Sequence, residues 1–285
     1  MGRWLFTSDL HGHFPFYEAL VAATAAHRPS IVILGGDLGP HASAQDGPAV
    51  QRAFWTGPFR DYAARIHAAA PGARLFILMG NDDWAVNHDV FEAGDPALWS
   101  VLHDRVHELG EAEGGLALAG LSWVPVTPFG IKDWERFDTA DSPPGLRLDG
   151  WRSTPAGLEP VRFDPAARGA TIADALADLE RRSDPARTVY VVHSPPFGTA
   201  CDRIHGGAHV GSRALRAFLE RTQPPLSLSG HIHESPTVSG RFHDAIGRTR
   251  VVNPGQFDGD KRWCAVLFDP ADPAGAIEHT VRGPG

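Results

Sequence analysis

Short apolar runs that break off abruptly in polar residues constrain the fold of this chain more than any other feature. The run at 31–34 is Ile-Val-Ile-Leu and passes into Gly35-Gly36-Asp37. The run at 75–79 is Leu-Phe-Ile-Leu-Met and passes into Gly80-Asn81-Asp82-Asp83. The run at 189–192 ends in His193, and 226–228 leads into Gly230-His231-Ile232-His233. The first strand-like run, 3–8, ends at Asp9-Leu10-His11. Apolar runs without alternation suit strands covered on both faces.

Helical patterns lie between these runs. Residues 15–27 place Tyr17, Leu20, Val21 and Thr24 on one face, with Pro15 tolerated in the first turn. Residues 48–69 read as mostly helical, with Pro58 marking a break or a new start. A short helix is expected at 84–92 and another at 171–182, where Ile172, Leu176 and Leu179 recur at helical spacing. Ser212 is a candidate N-cap for a helix over 212–222, with Leu215, Phe218 and Leu219 inward and Pro224 beyond its end. Strands are expected at 105–109 and 116–124, joined by Glu113-Gly114-Gly115, and a β-meander at 235–240, 248–253, 263–269 and 276–281. Strands alternating with helices, then a strand-rich tail, predict an α/β fold of two sheets with helices outside them. Residues 126–168 show no clear period and are rich in Pro, Asp, Gly and Trp; they read as a long loop insertion, ordered by Trp134, Phe137, Trp151 and Phe163.

The 285 residues suit one large α/β domain or two small ones. A net charge of −8 argues against broad nucleic-acid binding, which requires Lys and Arg to neutralise phosphates. Two cysteines, Cys201 and Cys264, do not make a disulfide framework and read as inert thiols. No N-terminal stretch has the apolar core of a signal peptide, and no run reaches the ~18 apolar residues of a membrane helix. The expectation is a soluble, cytoplasmic protein.

The polar motifs carry the chemistry. Asp9 and His11 are two apart, so an extended strand end points both side chains the same way, and His231 and His233 repeat that arrangement. Asp37 offers two oxygens and can bridge two metals; Asn81 offers a neutral carbonyl oxygen. With His193 these make seven N and O donors, enough for two adjacent divalent metals. Mixed imidazole and carboxylate ligation suits Mn, Fe, Zn, Co or Ni better than Ca. The set points to metal-assisted hydrolysis of a phosphate ester.

In order and spacing, Asp-x-His, Gly-Asp, Gly-Asn, a lone His and Gly-His-x-His resemble the calcineurin-like metallophosphoesterase superfamily. The stretch His193-Ser-Pro-Pro-Phe-Gly, with Gly230-His-Ile-His-Glu234 and Asn253-Pro-Gly255, resembles its branch near the cyclic-nucleotide phosphodiesterases. The resemblance implies a four-layer αββα sandwich of two mixed sheets flanked by helices, as a single domain over 1–285. It implies one metal held by Asp9, His11, His233 and a bridging Asp37, and a second by Asp37, Asn81, His193 and His231. A hydroxide bridging the metals would attack the phosphorus of a small phosphodiester or phosphomonoester in line.

This chain has Asp82 where many members have a His that contacts phosphate and protonates the leaving oxygen. Next to two dications Asp82 does not replace that acid at pH 7. Replacement candidates are His205 and His209 in the Gly-rich loop after His193. Asn81, Asp82, His13 and Arg203 are further candidates for substrate contact, and Asp83 for orienting a ligand histidine. The competing readings are a non-catalytic scaffold of the same fold and a nuclease, the latter disfavoured by the acidic charge. Oligomeric state is not legible.

Overall fold

The structure is a computed structural model that describes residues 2–42, 45–256, 262–272, 275–281 and 283–284. The chain runs β1 (Trp4–Thr7), α1 (Phe14–His27), β2 (Ile31–Gly35), α2 (Gly47–Phe54), α3 (Arg60–Ala69), β3 (Arg74–Leu78), α4 (His88–Glu92), β4 (Ser100–Val101), β5 (Arg105–Glu108) and β6 (Ala117–Leu121). It continues through β7 (Val124–Pro125), β8 (Glu135–Arg136), β9 (Asp149–Thr154), β10 (Gly157–Arg162), α5 (Ile172–Arg182), β11 (Thr188–Val192), α6 (Arg213–Thr222), β12 (Leu226–Leu228) and α7 (Ser235–Ser239). It ends in β13 (His243–Ile246), β14 (Thr249–Val252), β15 (Val266–Phe268), β16 (Ile277–His279) and β17 (Gly283–Pro284).

Among the described residues two mixed sheets dominate. The first has the order β17-β16-β15-β1-β2-β3-β4, parallel from β1 to β4 and antiparallel beyond β1. The second has the order β13-β14-β12-β11-β6-β5, with a parallel centre and antiparallel edges. Successive residues of one strand face opposite ways, and here both faces are covered. Trp4, Phe6, Ile31, Ile33 and Phe76 point between the sheets and meet Leu118, Val189, Val191, Leu226 and Leu228. Leu5, Val32, Leu34, Leu75 and Ile77 point outward and pack under Tyr17, Leu20, Phe54, Phe59 and Ile66 of the first helical layer. On the far side Tyr190, Val192 and Val251 pack under Ile172, Leu176, Leu179, Leu215 and Phe218. These three apolar interfaces separate four layers, αββα, and explain why the strand runs lack alternation. Each large side chain buried here contributes about 1.5–3 kcal/mol.

Local chemistry sets the helix ends. Thr171 forms a capping box with Asp174 at the start of α5, and the Ser212 hydroxyl accepts from the Leu215 amide at the start of α6. Three expectations are corrected. Pro58 does not end the helix at 48–69 but interrupts its α pattern: α2 passes into α3 through a π-turn, Trp55–Phe59, that contains it. Residues 235–240 do not form a strand. Ser235–Ser239 is a one-turn helix with Pro236 in its first turn, stopped by Gly240 in the left-handed region.

The 126–168 insertion is not all loop. It contains the hairpin β9–β10, whose residues are exposed on both faces and so leave no period to read. Trp134 and Phe137 are buried, Phe163 packs on Phe137 at 5.6 Å, and Trp151 is exposed. The Trp134 indole donates to Asp83 O at 2.8 Å, and Asp133 accepts from the Ala85 amide at 2.8 Å, fastening the insertion to the loop after β3.

Candidate metal centre

All five polar motifs lie just beyond the carboxyl ends of parallel strands of the two sheets, β1, β2, β3, β11 and β12, the side on which open α/β sheets place their sites. The loops after β1 and β2 are laced together: the Asp9 amide donates to Gly36 O, His11 to Asp37 O and Gly12 to Leu38 O, each at 2.9 Å. Asp9, His11, Asp37 and His231 all have positive φ, between 44° and 67°. Such strain in non-glycine residues costs on the order of 1–3 kcal/mol each and clusters at functional sites. Two motif glycines are there for close approach. A Cβ on Gly80 would lie 2.2 Å from Asp37 Oδ1 and 2.6 Å from His193 Nε2, and one on Gly230 would lie 2.3 Å from Asp9 Oδ2.

The side chains converge in two groups that share Asp37. Asp9, His11, Asp37 and His233 each present a donor atom, all within 4.8 Å of one another, and Asp37, His193 and His231 do the same. His11 Nε2 lies 3.1 Å from His233 Nε2 and 3.9 Å from Asp37 Oδ2. Asp37 Oδ2 lies 3.3 Å from His193 Nε2, and Asp9 Oδ1 lies 3.3 Å from His233 Nε2. The His193 ring is oriented by Nδ1, 2.8 Å from Gly35 O, which turns Nε2 toward Asp37. Asn81 is buried, and its Oδ1 has no hydrogen-bond partner; neither has His193 Nε2. Buried polar atoms are normally satisfied, so unpartnered ones that face a cluster of carboxylates and imidazoles fit an ion.

Burial alone would raise the Asp37 carboxyl, but His193 and His11 beside it hold it well below the usual carboxylate range. Asp9 is lowered in the same way, against burial, by His233 and His193. Burial and the neighbouring His193 push His231 down to about 3, so its imidazole is neutral. Against burial, Asp37 raises His193 to about 9, so that ring would give up a proton on ligating a metal, whose ligands are ionised carboxylates and neutral imidazoles.

Of the other candidate residues, Asp82 touches the first group through His11, and its amide donates to Asp37 Oδ1 at 2.8 Å, whereas His13, Arg203, His205 and His209 fall in neither group. His209 Nδ1 is held by Asp202 at 2.6 Å, and His209 and the exposed His205 line a cavity next to His231. Arg203 is exposed, and the His13 ring packs on Phe16 at 4.4 Å. Asp83 orients no histidine. Its carboxylate accepts from the amides of Leu38, Gly39 and Gly80 and so ties the loops after β2 and β3 together. Cys201 is buried, its thiol pushed up by burial and by Asp244, and it stays an inert core residue.

Sequence reasoning missed His41. Its Nδ1 pairs with the Asp82 carboxylate, its ring stacks on His11 with centroids 4.0 Å apart, and Asp82 also reaches His11 Nδ1 at 3.3 Å. A histidine four residues past Asp37 was the available signal, but Asp82 comes from another strand end. The turn at Asn253 also serves the site. The Asn253 carboxamide nitrogen lies 3.1 Å from Gly230 O and 3.0 Å from Ile232 O, fixing the backbone between His231 and its neighbours.

The family profile for calcineurin-like phosphoesterases matches residues 2–235, and the chain belongs to that family. A search of curated proteins by sequence finds no match. Among solved structures the fold is similar to that of TT1561 from Thermus thermophilus, at 16% identity and a TM-score of 0.57, over 98% of this chain and 97% of that one. It is similar to a dimetal phosphatase from Danio rerio, at 12% identity and a TM-score of 0.57, over 100% and 96% of the two chains. It also resembles GAP50, an anchor in the inner membrane complex of Plasmodium, at 11% identity and a TM-score of 0.50, over 93% and 80%. Among the described residues no helix is long and apolar enough to cross a membrane.

Proposed function

We propose that the chain is a phosphoester hydrolase that works with two divalent metals and prefers a diester to a monoester. One observation carries the reading: two groups of donors, Asp9/His11/Asp37/His233 and Asp37/His193/His231, share one buried carboxylate. Asn81, with its unpartnered Oδ1, completes the second group. The donor set of imidazole, carboxylate and amide oxygen fits Mn, Fe, Zn, Co or Ni. Such ions, when bound, lower the pKa of water toward ~7 and neutralise charge on phosphoryl oxygens.

The protein's part is to fix the donors. The laced loops after β1 and β2, the Asp83 carboxylate on three amides and the Gly35–His193 hydrogen bond hold the cluster before any ligand arrives. His41, paired with Asp82 and stacked on His11, lies against the first donor group, and we assign it contact with the phosphate. His205 and His209 line the cavity that His231 also lines, and neither belongs to the two donor groups. The preference for diesters follows from Asp82, which stands where family members carry the His that protonates a poor leaving oxygen. Loss of donors would favour the scaffold reading, and all seven are present in the sequence.

The test is hydrolysis of bis-p-nitrophenyl phosphate and p-nitrophenyl phosphate by metal-stripped protein, with Mn, Co, Ni or Zn restored singly. Restored turnover that favours the diester supports the proposal. Tight metal binding without turnover of either ester moves the assignment to the scaffold.

A further inference from the structure

A cavity of about 630 Å³ adjoins the metal centre, with His231 and Ile232 in its lining. Its walls come from two segments: the first part of the 126–168 insertion and the loop that follows His193. The lining is dominated by apolar groups, among them Phe129, Phe137, Pro143, Leu146, Ile204 and Val210. The volume lies within the ~300–1,000 Å³ range of pockets that bury a small-molecule ligand. Of the six most exposed large apolar side chains among the described residues, three line this cavity: Phe129 at 54%, Leu146 at 89% and Val210 at 37%. Apolar exposure concentrated at one place marks a binding surface, whereas scattered exposure does not.

The polar groups in the lining decide what kind of ligand fits. Thr127 Oγ1 is hydrogen-bonded to Glu135. Asp138 accepts from Ser212 Oγ and from the amides of Arg213 and Ala214. The Ser142 hydroxyl donates to Thr139 O at 2.9 Å, and His209 is committed to Asp202 at 2.6 Å. A nucleobase or a sugar needs free donors and acceptors along its edge, and on the wall formed by Thr127, Asp138 and Ser142 the polar side chains are already paired, so a polar edge against it would be left unsatisfied. An aliphatic chain needs none. The ionisable groups of the lining are few: beside Asp138 and His209 they are the exposed His205, Glu234 and the exposed Arg213, which is stacked over Phe197 at 3.6 Å.

From this we infer that the substrate is an amphiphilic phosphoester, with its phosphorus at the metal centre and an alkyl or acyl chain in the cavity between the insertion and the loop after His193. The inference rests on the hydrolase reading for the position of the phosphorus and on the cavity alone for the chain. It also accounts for the insertion, because Phe129, Pro143 and Leu146 supply one wall of the cavity.

The experiment is a homologous series. Methyl, butyl and octyl 4-nitrophenyl phosphate diesters are assayed below their micelle-forming concentrations with the metal-loaded full chain, beside thymidine 5′-(4-nitrophenyl phosphate). In parallel, binding of methyl and octyl phosphate is measured by calorimetry. Burying one methylene is worth up to about 4-fold, so kcat/KM is expected to rise at least 100-fold from methyl to octyl, with binding rising in step. Leu146→Asp and Val210→Asp, both at exposed positions where folding is little disturbed, are expected to cut the octyl-to-methyl ratio at least 10-fold. A flat series with ready turnover of the methyl ester overturns the chain-binding cavity and leaves the hydrolase standing. A thymidine ester preferred over the octyl ester overturns it in favour of a base. No turnover of any ester, with octyl phosphate still bound far more tightly than methyl phosphate and that preference lost in both variants, supports the cavity and removes the hydrolase reading. No turnover and no preference overturns both.

Discussion

His11 Nε2 and His233 Nε2 face each other at 3.1 Å, although the two residues are 222 positions apart in the chain. One comes from the end of β1, the other from the loop beyond β12 in the second sheet, so the two sheets meet at this contact. With Asp9 and Asp37 alongside, the pair makes one of the two donor groups. His233→Ala is expected to lower the metal content by about one equivalent and kcat by at least ~10³-fold, since metal-based charge stabilisation is worth several kcal/mol. Elemental analysis together with diester turnover checks this.

The His41–Asp82 pair yields a second expectation. His41→Ala should lower kcat for bis-p-nitrophenyl phosphate by about 10- to 100-fold, the range for losing a partner of a metal-site residue, with the metal content unchanged. Loss of metal in that variant would make His41 a ligand. Under the same assay His209→Ala is expected to change turnover of this small ester less than about 3-fold, because its ring is held by Asp202 and faces the adjoining cavity.

Within the insertion, Lys132 and Glu135 form a fully buried ion pair at 2.7 Å, and Lys132 also donates to Thr127 O at 2.8 Å. Burial pushes Glu135 up to about 7 against the pull of Lys132 and Thr127. Removing one partner strands the other, at a cost of about 3–5 kcal/mol. Lys132→Met should therefore lower the urea midpoint markedly, and adding Glu135→Gln should restore part of the loss. A single variant as stable as the parent would show that the pair contributes nothing.

His103 makes stability depend on pH. Burial, then His88, Arg136 and Arg105, bring it from 6.5 down to about 3, and its Nδ1 accepts from the Ser122 amide at 3.0 Å. The folded state keeps this ring neutral, while the unfolded chain takes up a proton below about 6.5. Stability is therefore lost as pH falls through that value toward 3, by at most ~1.4 kcal/mol per pH unit. His103→Gln keeps an acceptor and removes the proton. Between pH 7.5 and 5.5 the parent should lose about 1 kcal/mol more than this variant, as read from urea unfolding.

The central strands and the convergence of their ends were legible because each face of β1, β2, β3 and β11 is covered, and full burial writes a continuous apolar run. The hairpin β9–β10 is exposed on both faces and writes no period. The turn at 235–239 was too short for helical periodicity to outweigh the strand expectation. The six Asp and His side chains that converge here could be gathered from sequence because motif and strand end coincide. His41, the Lys132–Glu135 pair and the cavity could not, since each depends on segments that only the tertiary fold brings together.

The central claim is that Asp37 serves two metals at once. Its most direct test is the metal content of the parent and of Asp37→Ala, each loaded with Mn, desalted and analysed for bound metal per chain. The account predicts about two equivalents in the parent and weakened retention of both in the variant, with diester turnover abolished. One equivalent or none in the parent, or two retained in a variant that still turns over at the parent's rate, would contradict it.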